Sequence, residues 1–266
     1  MTKIGFIGTG NMAGAIITCL CKKNVVNPSD LTVFDIDESK CKSFIEQGIH
    51  FSNSVSSISN ECDVVFLCVK PQNFEDVLHQ MKENMASNTI VVSIAAGIST
   101  QYIKNIIGQD KKVIRTMPNT PLMLGIGAVA MSHCAPVSLD EFNLVKGYFE
   151  ATGIVEVVPE EKMNAIISVN GSSPAYVYLF AKAIIDGAVK QGIDPELAKN
   201  LFAQTLIGSA KMITESGKTP DELITMVSSP GGTTLKALET FYQNNFEKII
   251  IDAMLSCTNR AEELGK

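Results

Sequence analysis

Read as a pattern of apolar and polar positions, the chain has two textures that meet near residue 160. In the first, short continuous apolar runs rich in β-branched residues alternate with stretches whose apolar positions recur at helical spacing. The runs cover 3–7, 31–35, 63–69, 90–95, 113–116, 128–132 and 154–158. Strands that are apolar throughout are expected where helices cover both faces of a mostly parallel sheet. After residue 160 the strand texture stops. Helices are predicted over 174–191, 195–215, 220–227, 233–244 and 246–264, with Gly192, Gly217, Pro174, Pro195 and Pro220 as stops and first-turn residues. The predicted class is α/β: a doubly wound sheet over residues 1–159 followed by an all-helical domain over 160–266.

In the first long helix Tyr176, Val177, Leu179, Phe180, Ala183, Ile184 and Ala188 place apolar side chains around most of the wheel. A small helical domain cannot easily bury such a helix alone, so it reads as a dimerisation core; the other reading is the central helix of a monomeric bundle. At 266 residues and 45% hydrophobic content there is material for a large core. The net charge of -6 offers no basic field for a phosphate backbone, so a small molecule is expected and nucleic acid is not. The seven cysteines are odd in number, contain no C-x-x-C and lie mostly in apolar runs. They read as reduced, buried thiols of a cytoplasmic protein, not as metal ligands. Glycines at 5, 8 and 10 interrupt the apolar start, so neither a leader nor a membrane span is expected.

The first stretch with chemistry is Ile7-Gly8-Thr9-Gly10-Asn11-Met12-Ala13, a G-x-G-x-x-A placed between a strand and a helix. Gly8 permits a tight turn and Gly10 a close backbone approach to a pyrophosphate, whose charge the helix start stabilises. The segment is therefore expected to bind a dinucleotide in a Rossmann-type domain. Asp35 ends the second strand, where a carboxylate accepts hydrogen bonds from ribose hydroxyls and repels a 2′-phosphate. That favours NADH over NADPH, although Lys40 and Lys42 stand near enough in sequence to hold a phosphate.

Val69-Lys70-Pro71 and Ala95-Ala96-Gly97 follow two further strands, on the rim where ligands of open parallel sheets bind. Both are expected to flank the nicotinamide half of the cofactor. Lys70, extended by the following proline, reads either as a solvated cation near the phosphates or as a general acid. Asn119, bracketed by Pro118 and Pro121, reads either as a cofactor contact or as a purely structural turn.

Together these residues resemble the pyrroline-5-carboxylate reductase family over essentially the whole chain. The resemblance rests on the glycine fingerprint with Asn11-Met12, on Val69-Lys70-Pro71-Gln72, on 93–98, on Met117-Pro118-Asn119-Thr120-Pro121, on Pro174-Ala175-Tyr176 and on Ser229-Pro230-Gly231-Gly232-Thr233-Thr234. It implies hydride transfer from NADH or NADPH to the imine carbon of 1-pyrroline-5-carboxylate, giving L-proline. It also implies a helical domain interlocked with a second subunit's, an active site between one subunit's cofactor and the other's helices, and assembly up to decamers. The family usually carries glycine where Ser173 stands here, which costs strain if positive φ is required and adds a hydroxyl contact if it is not.

Under that reading the second glycine loop is the carboxylate clamp, formed by Ser229, Gly231, Gly232, Thr233 and Thr234. Backbone N–H groups at a helix start suit a small anion. Thr234 aligns with the family threonine that faces the ring nitrogen; its hydroxyl is too weak an acid to protonate alone, so it orients the ring and relays from water. Without the resemblance the loop also reads as a simple helix cap on Thr233. His50, His79 and His133 lie outside every motif. A β-hydroxyacid-type dehydrogenase, with Lys182 moving the proton, and a non-catalytic nucleotide sensor are the competing classes.

Overall fold

A computed structural model of the chain describes residues 2–265. Among them the strands are β1 (Ile4–Ile7), β2 (Leu31–Phe34), β3 (His50–Phe51), β4 (Val64–Leu67), β5 (Ile90–Ser93), β6 (Lys112–Met117), β7 (Gly127–His133) and β8 (Gly153–Val157). Helices α1 (Asn11–Lys22), α2 (Lys42–Ile45), α3 (Val55–Glu61), α4 (Phe74–Lys82), α5 (Thr100–Ile107), α6 (Leu139–Glu150) and α7 (Met163–Ile166) connect or follow them. Then come α8 (Ser173–Lys190), α9 (Pro195–Glu215), α10 (Pro220–Met226), α11 (Thr233–Gln243) and α12 (Phe246–Leu264).

The strands form one sheet in the order β3-β2-β1-β4-β5-β6-β7-β8. All neighbours are parallel except β6 and β7. Alternation along each strand divides its side chains between two cores. Ile4, Phe6, Val64, Phe66, Val92 and Ile114 join the α1 and α6 residues Ile16, Leu20, Phe142 and Phe149. Ile7, Val65, Leu67, Val91 and Val113 join the α3, α4 and α5 residues Ile58, Leu78, Met81 and Ile103. The all-apolar runs are thus apolar because both faces of the sheet are covered. Phe6 and Phe66 stack at 4.6 Å and Phe149 meets Phe66 edge-on at 5.8 Å.

The β6–β7 connection spans only residues 118–126 and carries a 3-10 turn at Thr120–Leu124, too little chain for a helical crossover, so β7 turns back antiparallel.

The chain divides into two compact units, 1–174 with 255–266, and 175–254. This division differs from the change of texture at 160. Met163 and Ile167 are buried with Met117 and Ala130 of the sheet, and Ala261 of α12 joins the same cluster. The unit 175–254 is helical, with Phe180 packed against Phe202 and Phe246. No residue of α8 is buried within the single chain, and Ala198 alone is buried in α9. Leu179, Leu201, Ile207 and Ile249 are each more than half exposed.

Candidate active site

The sheet order reverses at β1, between β2 and β4, and a cleft of about 540 Å³ opens beyond the carboxyl ends of β1, β2 and β4. Ile7, Gly8 and Gly10 line it from β1; Asp35, Ile36 and Lys40 from β2; Val69 and Lys70 from β4. Gly8 holds φ +93°, and a side chain there would meet the Cys68 carbonyl at 2.8 Å. Gly10 is the N-cap of α1, which has no side-chain cap. Nothing lies within 4 Å of where a Cβ would stand on Gly10, so the backbone is open to a ligand. The first N–H groups of α1 have no intrahelical partner, and the earliest bond to Gly10 is from Gly14 N. An uncapped helix start before an open backbone fits a pyrophosphate. A neighbouring cleft is lined by Thr9, Gly10, Asn11 and Lys40.

Asp35 is buried and its carboxylate is well occupied. Oδ2 accepts from Thr9 N at 2.8 Å and Thr9 Oγ1 at 3.2 Å, while Oδ1 accepts from Asp37 N at 3.0 Å and lies 3.6 Å from Lys40 Nζ. Burial alone would raise its pKa, but the hydrogen bonds from Thr9 and Asp37, with the Lys40 charge, hold the carboxyl below the ordinary aspartate range. The expected pair of free oxygens for two ribose hydroxyls is therefore not what this carboxylate presents.

Lys70 is exposed on the cleft rim in the extended conformation that precedes proline, with φ -66° and ψ 149°. Met12, Pro71, Ala95, Ala96, Gly97 and Asn119 do not line the cleft. Met12, in the first turn of α1, packs on the core, and Pro71 opens a 3-10 turn. Gly97 lies against the end of α12, where a side chain would stand 2.4 Å from the Ala261 carbonyl. The Asn119 carboxamide is buried and its Oδ1 accepts from Ala128 N at 2.9 Å, which locks the turn between its two prolines.

Sequence patterning missed Asn73, Asp76 and Gln80, which line the cleft from the turn before α4 and from α4 itself. Their only signal was position after the Lys70-Pro71 rim. It also missed Asn170, inside a π-helical turn at Ile167–Gly171, whose Nδ2 donates to the Met117 and Ala128 carbonyls.

The second glycine loop lies in the helical unit. α9 and α10 begin with side-chain caps from Asp194 and Thr219, whereas α11 begins at Gly232 with none. Gly231 holds φ +72°, and Gly232 N donates to Ser229 O at 2.9 Å, closing a tight turn. The Gly232 N–H is thus taken by the loop itself, and the open donors are those of the first helical turn, Thr233, Thr234 and Leu235. Thr233 opens the helix and does not cap it.

Lys182 is 71% exposed at its side chain and paired with Asp186 at 2.6 Å, a solvated helix pair without the setting of a catalytic lysine. Ser173 has no positive φ, and its hydroxyl donates to the Val169 carbonyl at 2.6 Å, so it adds a contact without backbone strain. His79 lies 4.0 Å from Glu75 on an exposed helix face and His133 lies against Phe142. Among the described residues no three His, Cys, Asp or Glu side chains are grouped to hold a metal ion, and no helix is long and apolar enough to cross a membrane.

Residues 160–264 match the family model for pyrroline-5-carboxylate reductase dimerisation, and residues 3–97 match that for NADP oxidoreductase, coenzyme F420-dependent. The chain is 36% identical to the pyrroline-5-carboxylate reductase of Escherichia coli over 99% of its own length and 98% of that protein's. The Plasmodium falciparum pyrroline carboxylate reductase, solved with NADP bound, superposes with a TM-score of 0.92 at 27% identity, covering 100% of this chain and 98% of that one. The Streptococcus pyogenes 1-pyrroline-5-carboxylate reductase gives 0.90 at 30% identity, over 98% of each chain. The chain belongs to the pyrroline-5-carboxylate reductase family.

Proposed function

We propose that each of the two glycine loops serves one reactant of an imine reduction: the Gly8–Gly10 loop the dinucleotide, the Ser229–Thr234 loop the carboxylate of 1-pyrroline-5-carboxylate. The protein is an NAD(P)H-dependent oxidoreductase acting on a C=N bond, a pyrroline-5-carboxylate reductase that makes L-proline. The observation that carries the division of labour is that α1 and α11 both open at glycine without a side-chain cap.

NAD(P)H, when bound, supplies the hydride that reduces the imine carbon. The chain's residues hold and orient. Ile7, Gly8, Thr9, Gly10, Asn11 and Met12 present the backbone and helix start to the pyrophosphate. Asp35, Val69 and Lys70 bound the cleft beyond β2 and β4, while Pro71, Ala95, Ala96, Gly97 and Asn119, which do not line it, follow β4, β5 and β6 and are assigned to the nicotinamide side. Ser229, Gly231, Gly232 and Thr233 form the substrate turn, where donors at a helix start balance the carboxylate. Thr234 Oγ1, half-buried in the first turn of α11, holds the ring nitrogen through a hydroxyl bond and passes water-derived protons to it. An imine that binds already protonated then needs no stronger side-chain acid.

The protein is a homo-oligomer through its helical dimerisation domain. Assembly of dimers into decamers and a cytoplasmic location belong to the same reading; seven free cysteines suit a reducing compartment. The test is initial-rate oxidation of NADH and NADPH by the purified protein on addition of 1-pyrroline-5-carboxylate, with proline measured as product. Failure to oxidise either coenzyme would sink the reading.

A further inference from the structure

Asp35 and Lys40 stand where coenzyme choice is made in a doubly wound sheet, at the end of β2. Thr9 stands between the two glycines of the first loop. Its N–H and its hydroxyl both donate to the same oxygen, Oδ2 of Asp35, at 2.8 and 3.2 Å. A carboxylate oxygen has two lone-pair sites, so Thr9 fills Oδ2. A residue without a hydroxyl at position 9 would leave one of those sites for a ribose hydroxyl. Thr9 is itself buried, its hydroxyl lying between Asp35 Oδ2 and the Cys41 thiol, 3.8 Å away.

The other oxygen, Oδ1, accepts from Asp37 N and faces Lys40 at 3.6 Å. Lys40 is half exposed, also faces Asp37 at 3.9 Å, and lines the clefts on both sides of Gly10. The Asp35 carboxylate is met chiefly by N–H and O–H donors, and Lys40, held by Asp35 and Asp37 only at 3.6 and 3.9 Å, is a cation at the end of β2 that an added anion can draw away. A single phosphate can displace Asp37 from it, since that contact is long and exposed.

We propose that Thr9 is the positioning residue for coenzyme choice: it draws Asp35 onto the glycine loop, so that Lys40 accepts the 2′-phosphate of NADPH where a free aspartate would demand a bare ribose. This rests on the reading that the cleft holds NAD(P)H, and concerns which form it holds.

Calorimetric binding of 2′,5′-ADP and of 5′-AMP to the full-length protein tests it without any turnover. The wild type binds 2′,5′-ADP more tightly than 5′-AMP. K40M lowers the 2′,5′-ADP affinity about tenfold more than the AMP affinity, as loss of a charge-assisted contact predicts. Thr9→Val, which keeps the volume and removes the hydroxyl, shifts the ratio toward AMP by roughly threefold or more, and Thr9→Ser restores it. The same order appears in kcat/KM for NADPH against NADH. Equal binding of the two nucleotides by the wild type, or a Thr9→Ser protein that behaves like Thr9→Val, overturns the proposal. Should Thr9→Val not fold, the wild type and K40M still decide, because an unchanged ratio in K40M is equally fatal. A protein that shows these binding ratios yet oxidises neither coenzyme with the imine loses the reductase reading and keeps this one.

Discussion

Arg115 of β6 and Glu160 form an ion pair at 3.2 Å in which the Arg115 side chain is 3% exposed and the Glu160 side chain 30%. The second arm of Arg115 donates to Asn164 Oδ1 at 2.5 Å, and Glu160 Oε1 also accepts from Thr100 N at 3.1 Å. Burial lowers the Arg115 pKa, with the Glu160 charge working against it. The pair ties the sheet to the segment that begins the dimerisation match at residue 160.

The unequal burial makes a directional prediction. Glu160→Ala strands a buried guanidinium and is expected to cost about 3–5 kcal/mol. Arg115→Met removes the guanidinium charge and leaves Glu160 on a side chain that is 30% exposed, with Oε1 still holding the Thr100 N–H, so it is expected to cost less. Urea midpoints at one fixed protein concentration compare them; an equal or larger loss for Arg115→Met refutes the argument.

Two glycines of one loop should fail in different ways. A side chain on Gly10 meets nothing in the protein, so Gly10→Val is expected to keep the apo-protein melting temperature. It fills the space before α1, and dinucleotide affinity is expected to fall by about tenfold or more, roughly 1.4 kcal/mol. Gly8→Ala meets the Cys68 carbonyl at φ +93° and is expected to lose about 1–2 kcal/mol of stability from the backbone alone. Thermal melts and fluorescence titration with NADH separate the two, and a destabilised Gly10→Val would move that glycine out of the binding face.

Much of this was legible before the fold, for reasons visible in particular residues. β1, β4 and β5 are continuous apolar runs because both of their faces are covered. The helices from Pro195 and Pro220 open at the prolines that predict them, and the last ends at Leu264. The reversal of β7 was not legible, because strand direction depends on how much chain lies between strands and not on the strand's own pattern. β3 is two exposed residues and carries no periodicity. Asp35 was recognised by position, but its partners were hidden: the hydroxyl that occupies it sits 26 residues away on Thr9. Asn119 and Asn170 were similarly opaque, since each meets its partner across strands.

At the second loop, Thr234→Ala removes a hydroxyl and leaves the backbone donors of α11 in place. It is expected to lower kcat/KM for the imine by one to two decades, roughly 1.4–3 kcal/mol of transition-state binding. Dinucleotide affinity should hardly change. Parallel loss of coenzyme binding would remove Thr234 from the substrate's side of the reaction.

The lowered pKa of Asp35 carries a stability signature. An acid whose folded pKa lies below its unfolded value stabilises the fold fully above the unfolded value, about 3.9, and loses that contribution as pH falls through the folded pKa. Asp35→Asn lacks the charge at every pH. Its deficit relative to wild type should be constant near neutrality and shrink as pH falls below about 4. Urea midpoints of both proteins across that range measure it, and a deficit that grows on acidification contradicts the assigned hydrogen bonds.

The apolar surface of α8 makes the last prediction. Leu179 is 68% exposed in the single chain, and no α8 residue is buried there, yet the helix lies within the dimerisation match. Covering one leucine by a partner is worth about 1.5–3 kcal/mol, and a two-fold interface counts each residue twice. Leu179→Arg replaces that gain with the desolvation of two like charges. It is expected to raise the dimer dissociation constant by at least about two decades, roughly 2.8 kcal/mol, as read by sedimentation velocity across a dilution series. The monomer should keep its sheet domain, because the two sheet cores are built from residues of the sheet, of α1–α6 and of their connecting turns and include none from α8. Coenzyme binding should therefore outlast dimerisation; a variant that stays dimeric at the lowest measurable concentration would place the interface on another helix.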